Sequence, residues 1–154
     1  MSRPSGGIES VIEEKFRTTR RLDRDNTCPF LLRVFLNDGR HNLLNEYHRG
    51  NTPKNEQQFH AWMDTSLVEI SKSIQIALPE YRQKGTYFDF AIVFPNDRHP
   101  GYRMKDVGST CVGQRGPDDE KTLSQCRFQI GDFFDIAITP PSIRDEPSTS
   151  YTER

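Results

Sequence analysis

Few side chains in this 154-residue chain stand where bond-making chemistry needs them. His41, His48, His60 and His99 fall in different loops or strand ends, and no nucleophile has a convincing base beside it. No Gly-x-Ser-x-Gly elbow or phosphate-binding loop occurs. Cys28, Cys111 and Cys126 are scattered and odd in number. No CxxC and no Cys/His pair has ligand spacing, so the thiols read as free and zinc is not expected. Asp118-Asp119-Glu120 reads as a solvated acidic loop rather than a catalytic carboxylate pair. Lys84-Gly85-Thr86-Tyr87-Phe88-Asp89-Phe90 opens like the base-stacking motif of an RNA-recognition domain. Thr86 replaces the first aromatic, however, and Asp89 would set negative charge on the stacking platform. Direct RNA binding through Thr86 to Phe94 therefore stands as the alternative function. The leading expectation is a chain with no catalytic residues, no metal, no cofactor and no small-molecule substrate.

The bulk properties agree with that. A formal net charge of −1 is far from the basic surface of a protein that grips nucleic acid through phosphates. Hydrophobic residues make up 33% and charged residues 28%, which describes a polar but foldable chain. The length suits one domain plus tails. The start of the chain is polar and no stretch nears the ~20 apolar residues that span a bilayer, so an intracellular protein without a membrane partner is expected.

The elements that would position these residues follow from periodicity. Residues 1–21 form a flexible segment in which Ile8, Val11, Ile12 and Phe16 have helical spacing. Phe30–Leu36 reads as a strand, Asn37-Asp38-Gly39 as a hairpin turn, and Arg40–Tyr47 as the returning strand. Gln58–Trp62 is a further extended piece. A helix is expected from an Asp64 N-cap, with Leu67, Ile70, Ile74, Ala77 and Leu78 as its apolar stripe and Pro79 as its stop. Strands follow at Thr86–Phe94 and Tyr102–Val107. A short helical turn then leads to a tight turn at Gly131-Asp132 and a last strand through Ile138. Residues 142–154 read as a disordered tail.

That order is the β-grasp arrangement: an α+β domain over residues 22–141, one mixed sheet on one main helix, with loop insertions and the last strand between the first and third. The stretch Thr122 to Ile138 is similar to ubiquitin, without gaps. Pro140-Pro141 then stands where a conjugated modifier would carry its Gly-Gly tail. Alternation assigns Phe30, Leu32, Val34, Leu36, Phe88, Phe90, Ile92, Phe94, Phe134, Ile136 and Ile138 to the helix-covered face. Leu31, Arg33, Phe35, Tyr87, Asp89, Ala91, Val93, Phe133, Asp135 and Ala137 fall on the outer face. There Arg33 and Asp135 could pair, and the apolar remainder is a larger patch than a solvated face needs. A partner or the N-terminal helix could cover it.

Thr27-Cys28-Pro29, Leu31-Leu32-Arg33-Val34-Phe35, Gly39-Arg40-His41, Arg49-Gly50-Asn51 and Trp62-Met63-Asp64 together resemble a known family. Lys84-Gly85-Thr86, Phe90-Ala91-Ile92-Val93-Phe94, Pro100-Gly101-Tyr102-Arg103, Gly108-Ser109-Thr110, Phe128-Gln129-Ile130-Gly131-Asp132 and Asp135 to Pro141 extend the likeness over residues 22–141. It is the eighteen-kilodalton Sin-three-associated polypeptide family. The resemblance implies a non-enzymatic adaptor in the Sin-three histone deacetylase co-repressor. It also implies a ternary assembly with Acinus or Pinin and a serine-rich RNA-binding protein, at the periphery of the exon junction complex, that regulates splicing. RNA contact would be indirect. Localisation would be nuclear, in nucleoplasm and nuclear speckles, with a cytoplasmic pool in addition. The acidic, Ser/Thr-rich end, Asp145 to Arg154, departs from the basic, Pro-rich end that the family leads one to expect.

Interfaces favour large aromatics and arginines. The candidate partner-binding residues are accordingly Tyr47, Arg49, Phe59, Trp62, Tyr102, Arg103 and Arg115. Leu31, Arg33, Phe35, Tyr87, Phe133 and Asp135 are the candidates on the outer sheet face. An extended partner peptide could add to either edge strand, expected at Arg40–Tyr47 and Tyr102–Val107.

Overall fold

The computed structural model describes residues 22–48 and 50–141. The expected N-terminal helix, Arg49 and the tail 142–154 lie outside the described residues. Strand β1 (Phe30–Asp38), β2 (Glu56–Ala61), helix α1 (Leu67–Ala77), β3 (Tyr87–Pro95), β4 (Tyr102–Cys111) and β5 (Phe133–Thr139) follow in that order. They form a five-stranded mixed sheet, β2-β1-β5-β3-β4. The last strand enters between β1 and β3, parallel to the first and antiparallel to the second. This is the ubiquitin-like β-grasp expected from the element order.

The helix-side face has the expected composition. Leu32, Val34, Phe88, Phe90, Phe134, Ile136 and Ile138 have no exposed surface, and Leu67, Ile70 and Ile74 of α1 pack on them. Each such side chain contributes ~1.5–3 kcal/mol by leaving water. Leu78 packs at the edge of this core, whereas Ala77 is exposed where the helix ends. Leu78 caps the helix and Pro79 opens a short 3-10 turn instead of continuing it.

The helix begins two residues later than expected. Ser66, not Asp64, is its N-cap: the Ser66 hydroxyl accepts from the Glu69 N–H and the Glu69 carboxylate accepts from the Ser66 N–H. Asp64 instead accepts from the Arg24 guanidinium, which reaches Glu69 as well, tying the entering chain to the helix start.

The partner of β1 also differs from expectation. Phe30 to Phe35 pair with Ala61 to Glu56, so the edge strand is the later extended piece and not Arg40–Tyr47. Gly39, at φ 82°, turns the chain and donates its N–H to the Ile138 carbonyl. Residues 41–47 then cross the outer face of the sheet, with a 3-10 turn at Leu44–Glu46. β4 runs further than expected, to Cys111, and carries a bulge where Phe90 faces Gly108 but Ala91 faces Asp106. Val107 is the extra residue, and it points into the helix-side core. A Cβ on Gly108 would meet Leu67 Cδ1 at 3.0 Å, so the bulge also lets β4 approach the helix closely. The segment Thr122–Arg127 is a pair of turns rather than a helix, and it buries Cys126.

Ile136 touches both the helix layer and its neighbouring strands. Ile136→Ala is expected to cost ~2–5 kcal/mol in urea unfolding, whereas Ile76→Ala, at an exposed site on α1, should stay within ~0.5 kcal/mol.

Candidate functional site: the outer face of the sheet

The outer face is organised by one carboxylate. Asp135 sits in the central strand β5, next to Phe35 of β1 and Ala91 of β3, and has no exposed surface. A buried carboxylate needs donors. Four come from the crossing segment. His41 Nδ1 lies 2.8 Å from one Asp135 oxygen, and the Asn42 backbone N–H donates to the same oxygen at 3.1 Å. The Asn42 side-chain amide donates to the other oxygen at 2.8 Å, and the Tyr47 hydroxyl donates there too. Burial pushes the Tyr47 phenol well above its ordinary pKa, and its hydrogen bond to Asp135 adds to that. For His41, burial alone would favour the neutral ring. The hydrogen bond to Asp135 and the charges of Asp135, Asp89 and Asp106 outweigh it, and the net shift is upward.

With its hydroxyl anchored, the Tyr47 ring lies against Phe35 edge-on at 5.5 Å and stacks on Phe133 at 5.8 Å. Phe35, Tyr47 and Val93 make a second, smaller core, and Tyr102, Met104 and Phe133 close its rim. Much of the apolar outer patch is thus sealed by the chain's own residues 41–47.

Several expectations change as a result. Tyr47 and Phe35 are buried and cannot offer a side chain to a partner in this arrangement. Asp135 pairs with His41, not Arg33. Arg33 instead binds Glu56 of β2 through Nε and Nη2, and lies over the rings of Phe133 at 5.2 Å and Phe35 at 5.4 Å. The Arg33–Glu56 pair is partly exposed and contributes only ~0–1 kcal/mol, so its main effect is to hold the guanidinium over the rings. Tyr87 is half-buried, its hydroxyl donating to Ser109 Oγ.

The remaining candidates divide by edge. On the β2 edge Leu31 is exposed, Phe59 packs partly on the main core, and Trp62 donates its indole N–H to the Thr27 carbonyl under the Arg24 guanidinium. Tyr102 and Arg103 lie at the opposite edge, on β4. They are not one contact: Met104 opposes outward Val93 and Arg103 opposes inward Phe94, so Tyr102 faces outward and Arg103 faces the helix side. Arg115 is exposed in the β4–β5 connection. Thr86, Phe88 and Phe90 are buried, so two of the aromatics of the strand considered for RNA stacking lie in the core.

What stays accessible is a band across the outer face. Arg33 lies over Phe133, which stacks on Tyr102 at 5.9 Å, with Met104 beside them. Arg33 keeps more than a third of its side chain exposed, and the other three are half-buried. Glu56, His41 and Asn42, which build this face, carried no sequence signal of their own. Their partners lie 23, 94 and 93 residues away.

The molecule is therefore a ubiquitin-like β-grasp domain whose sheet carries its own partial cover. The model of the family described as Sin3 associated polypeptide p18 (SAP18) matches residues 21–138. Proteins named histone deacetylase complex subunit SAP18 are 50% identical to this chain in Drosophila melanogaster, over 88% of this chain and 90% of that protein, and in Homo sapiens with the same coverage. The Arabidopsis thaliana protein of that name is 41% identical over 76% of this chain and 78% of its own length. The chain belongs to the SAP18 family.

Asp135→Ala, which strands the buried donors, is expected to lower stability by ~3–5 kcal/mol. Tyr47→Phe, which removes one hydrogen bond to a charged acceptor, should cost ~1.5–3 kcal/mol. Chemical denaturation of the two variants checks both, and a cost below that of an ordinary surface change for Asp135→Ala would contradict the arrangement.

Proposed function

We propose that this chain is a non-enzymatic protein–protein adaptor, a subunit of a Sin-three-type histone deacetylase co-repressor. The observation that carries the reading is the Arg33–Phe133–Tyr102 band: aromatic and guanidinium surface, pre-ordered by stacking and half-exposed, is what protein interfaces select. Order before binding matters, because side chains already held in place lose little entropy on docking. Family membership and the printed names of the relatives support the deacetylase complex as the setting.

The finer reading adds a second assembly, with Acinus or Pinin and a serine-rich RNA-binding protein, that regulates splicing at the exon junction complex. In it the chain meets RNA only through its partners. Both assemblies imply a nuclear protein. A formal charge of −1 and the burial of Phe88 and Phe90 favour indirect over direct RNA contact.

The test is recovery of partners from nuclear extract on the tagged full chain, with and without nuclease, read by deacetylase activity in the eluate and by partner identification. Arg33→Ala and Tyr102→Ala, each confirmed folded by circular dichroism, should lower recovery about tenfold or more. Recovery should survive nuclease. Wild-type recovery by both folded variants would remove the band as the docking site, and loss on nuclease treatment would turn the reading towards RNA.

A further inference from the structure

The crossing segment that serves Asp135 leaves one atom unserved. His41 Nε2 has no exposed surface and no hydrogen-bond partner among the described residues. It points at two carboxylates on the neighbouring strands, 3.6 Å from Asp89 Oδ2 and 3.9 Å from Asp106 Oδ1. Both distances exceed hydrogen-bond reach. The three donor atoms lie within 4.8 Å of one another.

These spacings suit a cation. Donors bound to tetrahedral zinc at ~2.0–2.2 Å stand roughly 3.4 Å apart, so each carboxylate is within a few tenths of an ångström of that spacing from the imidazole nitrogen, and the two carboxylates, within 4.8 Å of each other, have to draw together as they close on the ion. Asp106 has 73% of its side chain exposed and Asp89 39%, which leaves both free to adjust. The imidazole is the rigid member. Its Nδ1 is held at 2.8 Å by a fully buried carboxylate, the arrangement that fixes the tautomer of a metal-bound histidine and leaves the Nε2 lone pair facing outward.

Charge points the same way. Asp89, Asp106 and Asp135 surround one imidazole, and among the described residues neither Asp89 nor Asp106 has a Lys or Arg ion pair. A divalent cation neutralises this cluster better than the single proton of an imidazolium does.

We propose that His41, Asp89 and Asp106 form a zinc site, with water in the fourth position and Asp135 orienting the imidazole from behind. Imidazole with carboxylates favours zinc over magnesium or calcium, which prefer all-oxygen shells. The β4 bulge matters here. The register shift at Val107 places Asp106 opposite Ala91 on the outer face, beside Asp89 and the histidine. No sequence spacing announced this site, since the three residues come from the crossing segment, β3 and β4. The bound ion would clamp residues 41–47 to the β3–β4 half of the sheet. This inference stands apart from the adaptor reading, because it needs no partner protein.

The experiment titrates Zn²⁺ into the chelator-treated full chain by calorimetry, with Co²⁺ absorption as a readout of coordination geometry and thermal unfolding as a readout of the clamp. One equivalent should bind, Co²⁺ should show the intense visible bands of four-coordination, and the unfolding temperature should rise. Asp106→Asn, at an exposed position where folding is not at stake, should weaken binding about tenfold or more. Asp89→Asn should do the same. Cys28→Ser and His99→Ala test stray ligation and should change nothing. Absence of saturable binding would overturn the proposal. So would binding that persists undiminished in Asp106→Asn and Asp89→Asn, or that disappears in Cys28→Ser or His99→Ala.

Discussion

A carboxylate without solvent in the middle of a sheet is the constraint from which the rest of this structure follows. Asp135 lies on the central strand, flanked on both sides, and a carboxyl group buried there is tolerable only if hydrogen-bond partners come to it. They come from residues 41–47, which therefore cannot pair as a strand and must lie across the sheet. That displacement hands the edge to Glu56–Ala61, anchors Tyr47 over Phe35, and leaves Arg33, Phe133, Tyr102 and Met104 as the open rim of the aromatic cluster. One polar residue thus determines which part of the aromatic cluster stays open.

The ordinary β-grasp elements were legible because their signals are local. Alternation in β1, β3 and β5 identifies every residue of those strands that faces the helix-side core, and the turn at Gly131-Asp132 locates β5. The helix start was off by two residues because Asp64 and Ser66 are both good caps. The reciprocal bond between Ser66 and Glu69 decides the matter, and Arg24, remote in sequence, engages Asp64. The misplaced second strand has a physical cause as well. Asn37-Asp38-Gly39 is turn chemistry wherever it occurs. The true edge strand, Glu56-Gln57-Gln58-Phe59-His60-Ala61, is too polar to show a buried face. The segment Leu43-Leu44-Asn45-Glu46-Tyr47 looked the more apolar partner, yet Leu43 and Leu44 are exposed and only Tyr47 is buried.

The candidate site was legible in composition but not in arrangement. Residue type with strand face points to Arg33 and Phe133, and residue type at an edge strand to Tyr102, and the structure brings the three together. The same grounds point to Tyr47 and Phe35, which are interior. The difference lies in a hydrogen bond spanning 88 residues, which no window along the chain contains. The same holds for the cluster of His41, Asp89 and Asp106, which exists only because the cover and a strand bulge converge.

Amide hydrogen exchange of the full chain, resolved at Asn42, tests the central claim most directly. Its N–H donates to Asp135 across the sheet and takes part in no strand or helix. If the carboxylate pins the cover, Asn42 will exchange with protection comparable to the amides of β5 and will lose that protection in Asp135→Ala. Exchange at the rate of an unstructured peptide, in a chain whose β5 is protected, would contradict the account.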